Sequence, residues 1–162
     1  EGIEVRHRSA QFDRCLLLVE SNRVDGAVAV CHSAERSKEF TYSTSRLNFS
    51  SCVLVYLKEA SIDEIENANG KVGIIRGYDF SAWLPSNIKL EPLNSNVQAI
   101  GILNLKRIKY HADDLRVLLL TLTKMEDLAD QFVLKSFHTE NLEVSFTKIL
   151  APRNWQIHLI QT

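Results

Sequence analysis

The sequence predicts an α/β protein that folds as two lobes of one chain. Short apolar β-branched runs alternate with helical periodicity over residues 72–125, in the order β-α-β-α-β-α that is typical of a small doubly wound lobe. Further strand-like runs come before and after this block, and a polar connector, residues 61–70, precedes it. We therefore assign residues 1–58 and 137–162 to lobe 1 and residues 59–136 to lobe 2, so that the chain crosses twice between them and forms a hinge beside a cleft.

The first block predicts one helix and two strands. Apolar residues at i, i+3, i+4 and i+7 favour an amphipathic helix over residues 11–20. Asn22 is predicted to end this helix, because asparagine tolerates the left-handed conformation common at helix ends. Buried strands are predicted over 24–31 and 51–57, with a loop or short helix over 32–46 between them.

Strands and helices alternate in the second block. The predicted strands are 72–75, 88–93 and 108–112, and the predicted helices are 79–84, 94–105 and 113–125. Asp79 is suited to cap the first of these helices, and Pro85 is suited to end it.

The tail of the chain is predicted to return to strands and to end in a helix. The strands cover residues 132–137 and 142–146. The helix begins at Pro152, because proline favours the first position of a helix, and it places Trp155 and Leu159 on one face.

Composition and charge exclude several classes of partner. The 162 residues carry a net charge of -1 with Lys and Arg scattered, so the chain has no basic face for a phosphate backbone and we expect no nucleic acid partner. The longest apolar runs, such as residues 115–122, are far shorter than the roughly 20 residues that span a bilayer. Residues 1–4 lack the basic and apolar regions of a signal peptide, which leaves either a cytoplasmic protein or one whose start has been removed.

The spacing of cysteine and histidine gives no pattern of a metal or catalytic site. Cys15, Cys31 and Cys52 are odd in number and form no CxxC pair, which favours buried thiols and leaves one disulfide open. The five histidines show no H-x-x-x-H or HExxH spacing, and His111 and Asp113 only share a strand face. No phosphate-binding loop, nucleophile elbow or G-x-G-x-x-G motif occurs. We expect no catalysis, no metal and no cofactor.

Three stretches, in this order, resemble one family. They are NRVDGAVA with ERSKEFTYS at residues 22–29 and 35–43, NGKVGIIRGY at residues 69–78, and LEVSFTK at residues 142–148. Together they resemble the bacterial extracellular solute-binding proteins of the amino-acid type (family 3). The resemblance implies the two-lobed periplasmic-binding-protein type II architecture, also called a Venus flytrap, and an extracytoplasmic location.

The resemblance implies a ligand site with one part on each lobe. In lobe 1, Arg36 would hold the α-carboxylate of the ligand, since a guanidinium is a planar, always charged donor that matches a carboxylate. Cys31 stands where the family places a threonine that helps to hold the same group. The alternative for Arg36 is a surface arginine paired with Glu35 or Glu39.

In lobe 2, the resemblance makes Gly77 and Tyr78 part of a binding turn, whose backbone N–H groups at a helix start can hold an anion. Asp114 aligns with the acid that binds the ligand's ammonium group, and Asp113 is the second candidate. Either acid is also suited simply to cap the next helix. Lys109 replaces an acidic residue common earlier in this strand.

These assignments predict a domain that captures a small amino-acid-like or anionic ligand by hinge closure and does no chemistry on it, for instance for an ABC transporter or a membrane receptor. The alternative is a ligand-sensing regulatory domain of the same fold, in a signal receptor or as the effector half of a transcription regulator. A third hypothesis is a lyase or transferase relative, for which the sequence offers no catalytic residues.

The resemblance also implies elements that lie beyond both ends of this chain. The family's lobe 1 opens with a strand, an aromatic ligand loop and a helix before the segment that matches residues 2–5, and residues 155–160 match only the start of its long closing helix. Without the opening strand, its neighbours would have unpaired backbone groups. We therefore expect either an excerpt of a longer protein or a homo-oligomer that pairs lobe 1 with another copy.

Overall fold

A computed structural model describes residues 4–43, 48–61, 65, 71–147 and 156–161. Over these residues, the strands are β1 (Glu4–Ser9), β2 (Gly26–Cys31), β3 (Phe40–Tyr42), β4 (Asn48–Leu57), β5 (Lys71–Ile75), β6 (Lys89–Leu93), β7 (Tyr110–Asp114), β8 (Phe132–Thr147) and β9 (Gln156–Gln161). The α-helices are α1 (Phe12–Glu20), α2 (Asn96–Asn104), α3 (Leu115–Thr123) and α4 (Glu126–Ala129), and a 3-10 turn covers Arg36–Lys38. The mixed α/β class predicted from the alternation of apolar runs is confirmed.

The chain forms two units. Unit 1 consists of Glu1–Ser50 with Glu140–Thr162, and unit 2 consists of Ser51–Thr139. Both boundaries fall inside strands, because β4 and β8 each begin in one unit and end in the other. The chain therefore passes between the units through two extended segments.

In unit 1, the strand order is β1-β9-β2-β8, with β3 also paired to β8. β9 runs parallel to both of its neighbours, with Glu4 opposite Gln156 and Gly26 opposite Leu159. β2 and β3 are antiparallel to β8. Among the described strands of this order, β9, β2 and β8 therefore have a partner on both sides.

The helix predicted at the end of the chain is wrong over its described part. Residues Gln156–Gln161 form β9, while Pro152 and Trp155 lie outside the described residues. Apolar and polar residues alternate from Gln156 to Leu159, a period-2 pattern that fits a strand as well as a helix turn. In the structure this segment lies between β1 and β2. It forms a strand because a strand at this position pairs with the backbone groups of both neighbours.

The pairing of β9 also shows that the expectation of unpaired backbone groups at this position of lobe 1 is wrong. β1 and β2 both pair with β9, so neither needs a strand from a second copy at this position. The homo-oligomer stays a prediction that this pairing does not support.

The helix of unit 1 follows its predicted pattern. α1 buries Phe12, Cys15 and Val19. Asn22 follows with a φ of 56°, the left-handed conformation expected from its type. Burial of these side chains is the source of most of the stability of so short a helix.

In unit 2, β4 lies between β8 and β7, followed by β5 and β6. β4 is antiparallel to β7, whereas β5 is parallel to β6 and β7. Alternate residues of β4 enter two different apolar clusters. One cluster, which includes residues of α2 and α3, contains Val53, Val55, Leu93, Ala99, Ile100, Leu103, Ile108, Leu118, Leu122 and Phe132. The other contains Cys52, Leu54, Tyr56, Val72, Ile74, Phe80, Leu84, Tyr110 and Ala112.

Four predicted elements of this part of the chain differ from the structure. Residues 79–84 form turns and no helix, because the segment is short and Pro85 disfavours a helical Leu84. The helix predicted over 113–125 begins later, at Leu115, and is followed by the separate α4. The two strands predicted in the tail are one continuous strand, β8.

Candidate functional site

The guanidinium of Arg36 lies at the end of β2 in unit 1. Its Nη1 donates to the carbonyl oxygen of Cys31 at 3.0 Å, and its Cζ lies 5.3 Å from the centre of the Phe12 ring. A cation held over an aromatic face and bonded to a carbonyl has a fixed orientation. The structure therefore brings together Arg36 and Cys31, two residues of the predicted site, through the backbone of Cys31.

Local backbone geometry explains why Arg36 returns to the end of β2. The hydroxyl oxygen of Ser33 accepts from the backbone N–H of Arg36 at 3.1 Å, which begins the 3-10 turn. β2 has a register shift between Ala27 and Val30, and Ala29 has a φ of 62°. A non-glycine residue in this region is strained, and such bulges are common beside functional sites. No pattern in the sequence pointed to Ser33 or Phe12 as neighbours of Arg36, because both contacts depend on the folded chain.

Asp114 is the cap of α3 in unit 2. Its Oδ1 accepts from the backbone N–H groups of Arg116 at 2.8 Å and Val117 at 3.3 Å. Its Oδ2 forms an ion pair with the Arg116 guanidinium at 3.3 Å, and the Asp114 side chain is 12% exposed. The capping role left open by the sequence is thus present, and a contact between Asp114 and a ligand stays a prediction.

The turn after β5 contains Gly77 and Tyr78. The N–H of Tyr78 donates to the carbonyl of Ile75 at 2.9 Å, and Gly77 adopts a φ of 88°, which glycine accepts without strain. Asp79 accepts from the backbone N–H of Ser81 at 2.9 Å and from its hydroxyl at 2.6 Å. Since no helix begins here, the anion-binding helix start expected at this turn is absent over these residues.

Asp113 lies in the core of unit 2, together with a histidine that the sequence did not assign to the site. The side chains of His111 and Asp113 are both fully buried, and Nε2 of His111 lies 3.9 Å from Oδ2 of Asp113. His111 Nδ1 lies 2.9 Å from the carbonyl oxygen of Gly73, and Nε2 lies 2.6 Å from Oδ1 of Asn96. Asp113 Oδ1 accepts from the backbone N–H of Asp114 at 2.6 Å. We refer to His111, Asn96 and Asp113 as the buried polar cluster.

Burial changes the protonation of both titratable groups in this cluster. Desolvation raises the pKa of Asp113 to about 7, against the smaller opposing effects of its hydrogen bonds with the Asp114 N–H and the Asn96 side chain. Desolvation lowers the pKa of His111 to about 4, and the hydrogen bond with Gly73 opposes this shift. Both groups are therefore uncharged between these two values.

Three further features belong to the described part of the chain. No group of three or more His, Cys, Asp or Glu in this part of the chain is arranged to hold a metal ion. None of the helices described is long and apolar enough to cross a membrane. Cys15 is a buried free thiol, and its burial raises its pKa.

Comparison of the sequence with protein-family models and with curated proteins gives no match. Comparison of the structure gives several similar solved structures. One is the substrate-binding protein of an amino acid ABC transporter, with 18% identity and a TM-score of 0.72 over 87% of this chain and 65% of that chain. Another is the GluR0 ligand-binding core from Nostoc punctiforme in complex with L-glutamate, with 17% identity and a TM-score of 0.68 over 85% of this chain and 65% of that chain.

A third is the ancestral amino acid-binding protein AncCDT-1, a precursor of cyclohexadienyl dehydratase, with 15% identity and a TM-score of 0.64 over 86% of this chain and 62% of that chain. The chain has the periplasmic-binding-protein type II fold. The fold predicted from the resemblance is thus confirmed. The chain spans slightly less than two thirds of the length of each of these type II proteins.

Within the type II fold, the predicted site residues divide between the two units. Arg36 and Cys31 belong to unit 1, whereas Gly77, Tyr78, Asp113 and Asp114 belong to unit 2. Asp113 and Asp114 are joined by a hydrogen bond, but their carboxylates have different surroundings, one in the core and one at a helix start. That these residues bind one ligand stays a prediction.

Proposed function

We propose that this chain is an extracytoplasmic solute-binding domain that captures a small amino-acid-like or anionic ligand and leaves it chemically unchanged. The placement of the Arg36 guanidinium, held by Cys31 and Phe12 at the end of a bulged strand, carries this proposal. The fold supports it, because similar structures include the substrate-binding protein of an amino acid ABC transporter and the GluR0 ligand-binding core in complex with L-glutamate.

Arg36 is the residue proposed to bind the ligand's carboxylate. A guanidinium has several N–H donors in one plane, so that it can donate one to the Cys31 carbonyl and present a parallel pair to a carboxylate. Its contact with Phe12 reduces the rotamer freedom that would otherwise be lost on binding. Preorganisation of this kind favours a specific site over a solvated surface arginine.

Asp114 is proposed to bind the cationic group of the ligand. Its carboxylate is mostly buried and already accepts hydrogen bonds from the start of α3 and from Arg116. These donors hold it in a fixed orientation, and a carboxylate has lone pairs for further donors such as an ammonium group. Gly77 and Tyr78 are proposed as neighbours of the ligand, through the backbone of the turn after β5.

Hinge closure is proposed to run through β4 and β8, the two strands that pass between the units. A ligand that contacts residues of both units favours a closed state only by its higher affinity for that state. A decrease in the radius of gyration on ligand addition, measured by small-angle X-ray scattering, is the expected result.

The proposed function is tested by a thermal-shift screen of the standard amino acids and small organic acids, followed by mass spectrometry of each hit. We expect at least one compound to raise the unfolding temperature in a concentration-dependent way and to be recovered unchanged. No stabilisation by any compound would contradict ligand capture. Conversion of a hit would favour catalysis instead, and one similar structure, AncCDT-1, is a precursor of cyclohexadienyl dehydratase.

Sensing is the second candidate function, and the similarity to the GluR0 ligand-binding core favours it. A sensor and a transporter component bind ligand by the same physics and differ in what they contact afterwards. The genomic sequence upstream of the chain separates them. A secretion signal supports a transport component or a receptor, and a helix-turn-helix segment supports the effector domain of a transcription regulator.

A further inference from the structure

The hydrogen bonds of the buried polar cluster limit where its protons can lie. The Gly73 carbonyl can only accept, so His111 Nδ1 must be the donor of their 2.9 Å hydrogen bond. The remaining nitrogen, Nε2, faces the side-chain amide of Asn96 at 2.6 Å. Asp113 Oδ2 is buried with no hydrogen-bond partner among the described residues, and Nε2 of the imidazole lies 3.9 Å from it.

Two arrangements of protons that satisfy both ring nitrogens differ in the position of a single proton. In the first, His111 is an imidazolium that donates to Asn96 Oδ1, and Asp113 is ionised. In the second, the Asn96 amide is turned so that its NH₂ donates to Nε2 of a neutral His111, and Asp113 is protonated. The two arrangements contain the same number of protons and differ only in which residue carries one of them.

We propose that His111, Asn96 and Asp113 share one proton in this way, that the proton resides on Asp113, and that the cluster is a pH-sensitive element at the junction of β7 and α3. Burial favours the neutral arrangement, because an ion pair in an apolar core loses hydration that a separation of 3.9 Å does not recover. The raised pKa of Asp113 and the lowered pKa of His111 agree with it.

Among the described residues, the groups that the neighbouring strands and α2 place beside the cluster are uncharged. β4 places Val53 and Val55 opposite Asp113 and His111, β5 places Gly73 opposite His111, and α2 contributes Asn96. On β7 and α3, the charged groups beside the cluster are Asp114, which raises the pKa of Asp113, and Arg116, which is paired with Asp114.

The dependence of stability on pH follows from the two shifted pKa values. Asp113 has its pKa raised from 3.8 to about 7, so the stability that it contributes is lost as pH rises through about 7. His111 has its pKa lowered from 6.5 to about 4, so the stability that it contributes is lost as pH falls through about 4. Between about 4 and 6.5 the folded and unfolded states bind the same number of these protons, and the two effects cancel.

The test compares unfolding of the whole chain in urea at several pH values for four proteins: wild type, Asp113→Asn, His111→Gln and the double variant. Relative to the double variant, wild type should show no pH dependence between pH 4 and 6.5. The unfolding constant of Asp113→Asn should rise about tenfold per unit as pH falls, and that of His111→Gln about tenfold per unit as pH rises. Equal slopes in both single variants would overturn the proposal.

Nitrogen NMR of wild type, labelled at histidine, gives a second result that does not need the variants to fold. At pH 6 we expect His111 as a neutral ring with its proton on Nδ1. An imidazolium at that pH would place the proton on His111 and overturn the assignment to Asp113.

Discussion

The carbonyl oxygen of Gly73 lies 2.9 Å from Nδ1 of His111, so the imidazole ring packs directly against the backbone of β5. A Cβ atom added at Gly73 would lie 3.2 Å from that nitrogen, 2.7 Å from Leu93 Cδ1 and 2.9 Å from Ile108 Cδ1. These contacts are shorter than a close-packed core allows. The position therefore needs glycine because of close packing.

Gly73→Ala is expected to destabilise the protein by about 1–3 kcal/mol, because three buried neighbours would have to move. The matched control is Gly101→Ala in α2, where an added Cβ meets nothing within 4 Å. This control should stabilise the helix by about 0.5–1 kcal/mol. Urea unfolding monitored by circular dichroism measures both changes, and two variants of equal stability would refute the packing of His111 against β5.

Substitutions at Asp114 are expected to separate capping from ligand binding. Asp114→Ala removes the acceptor for the Arg116 and Val117 N–H groups and should cost about 1 kcal/mol of stability. Asp114→Asn keeps a capping oxygen and should lose less stability, but it removes the charge proposed to bind a cationic group. We expect calorimetry to show weak or no amino acid binding for both variants. Wild-type affinity in Asp114→Asn would leave Asp114 with the capping role alone.

Arg36→Ala is expected to weaken amino acid binding by about 2–5 kcal/mol, because it removes a charge-assisted contact with a carboxylate. Arg36→Lys should recover only part of this loss, since an ammonium group cannot make the planar paired contact. The control is Arg14→Ala, an exposed position on α1 of the same unit. Calorimetry with the best compound from the screen is the measurement, and similar losses for Arg14→Ala and Arg36→Ala would remove Arg36 from the site.

Two leucines of α3 provide a test of the packing in unit 2. Leu118 is fully buried in the cluster that contains residues of α2 and α3, whereas the side chain of Leu120 is 59% exposed. Leu118→Ala should cost about 2–5 kcal/mol through the cavity that it leaves. Leu120→Ala should change stability by less than about 0.5 kcal/mol. Equal losses in urea unfolding would mean that α3 packs through a different face.

The sequence is sufficient to predict elements that have a long apolar pattern or a characteristic residue type at one end. The apolar stripe of α1 and the position of Asn22 are both confirmed, because burial of one face and a left-handed residue are local requirements. α2 is confirmed with Ser95 as its cap, which accepts from the Gln98 N–H at 3.2 Å. The helix predicted over residues 79–84 is wrong. The segment is short, and it has no strong apolar stripe to offset the effect of Pro85, which disfavours a helical conformation in the residue before it.

The candidate site could be predicted only in part, since its contacts depend on tertiary packing. The resemblance pointed to Arg36 and Asp114, but it could not show that Phe12 lies under the guanidinium or that Arg116 pairs with Asp114. His111 and Asp113 were predicted to share a strand face. Their polar partner, Asn96, lies fifteen residues before His111, and the packing of α2 over β7 brings it there.

The last element, β9, shows most clearly how neighbours decide a local conformation. Its six residues fit a strand or a helical turn by pattern alone, and in the structure they pair with β1 on one side and β2 on the other. Parallel pairing on both sides gives the backbone amides of this segment partners that an isolated helical turn would supply only in part.

We therefore expect NMR of the whole chain to show strand-type Cα secondary shifts over residues 156–161, opposite in sign to those of α1. The amide hydrogens of β9 should exchange slowly with solvent, because a strand with neighbours on both sides opens only when its sheet does. The three-residue strand β3, which among the described strands pairs with β8 alone, is the internal control and should exchange faster. Helical shifts over 156–161, or exchange as fast as that of β3, would mean that β1 and β2 are not joined by this segment.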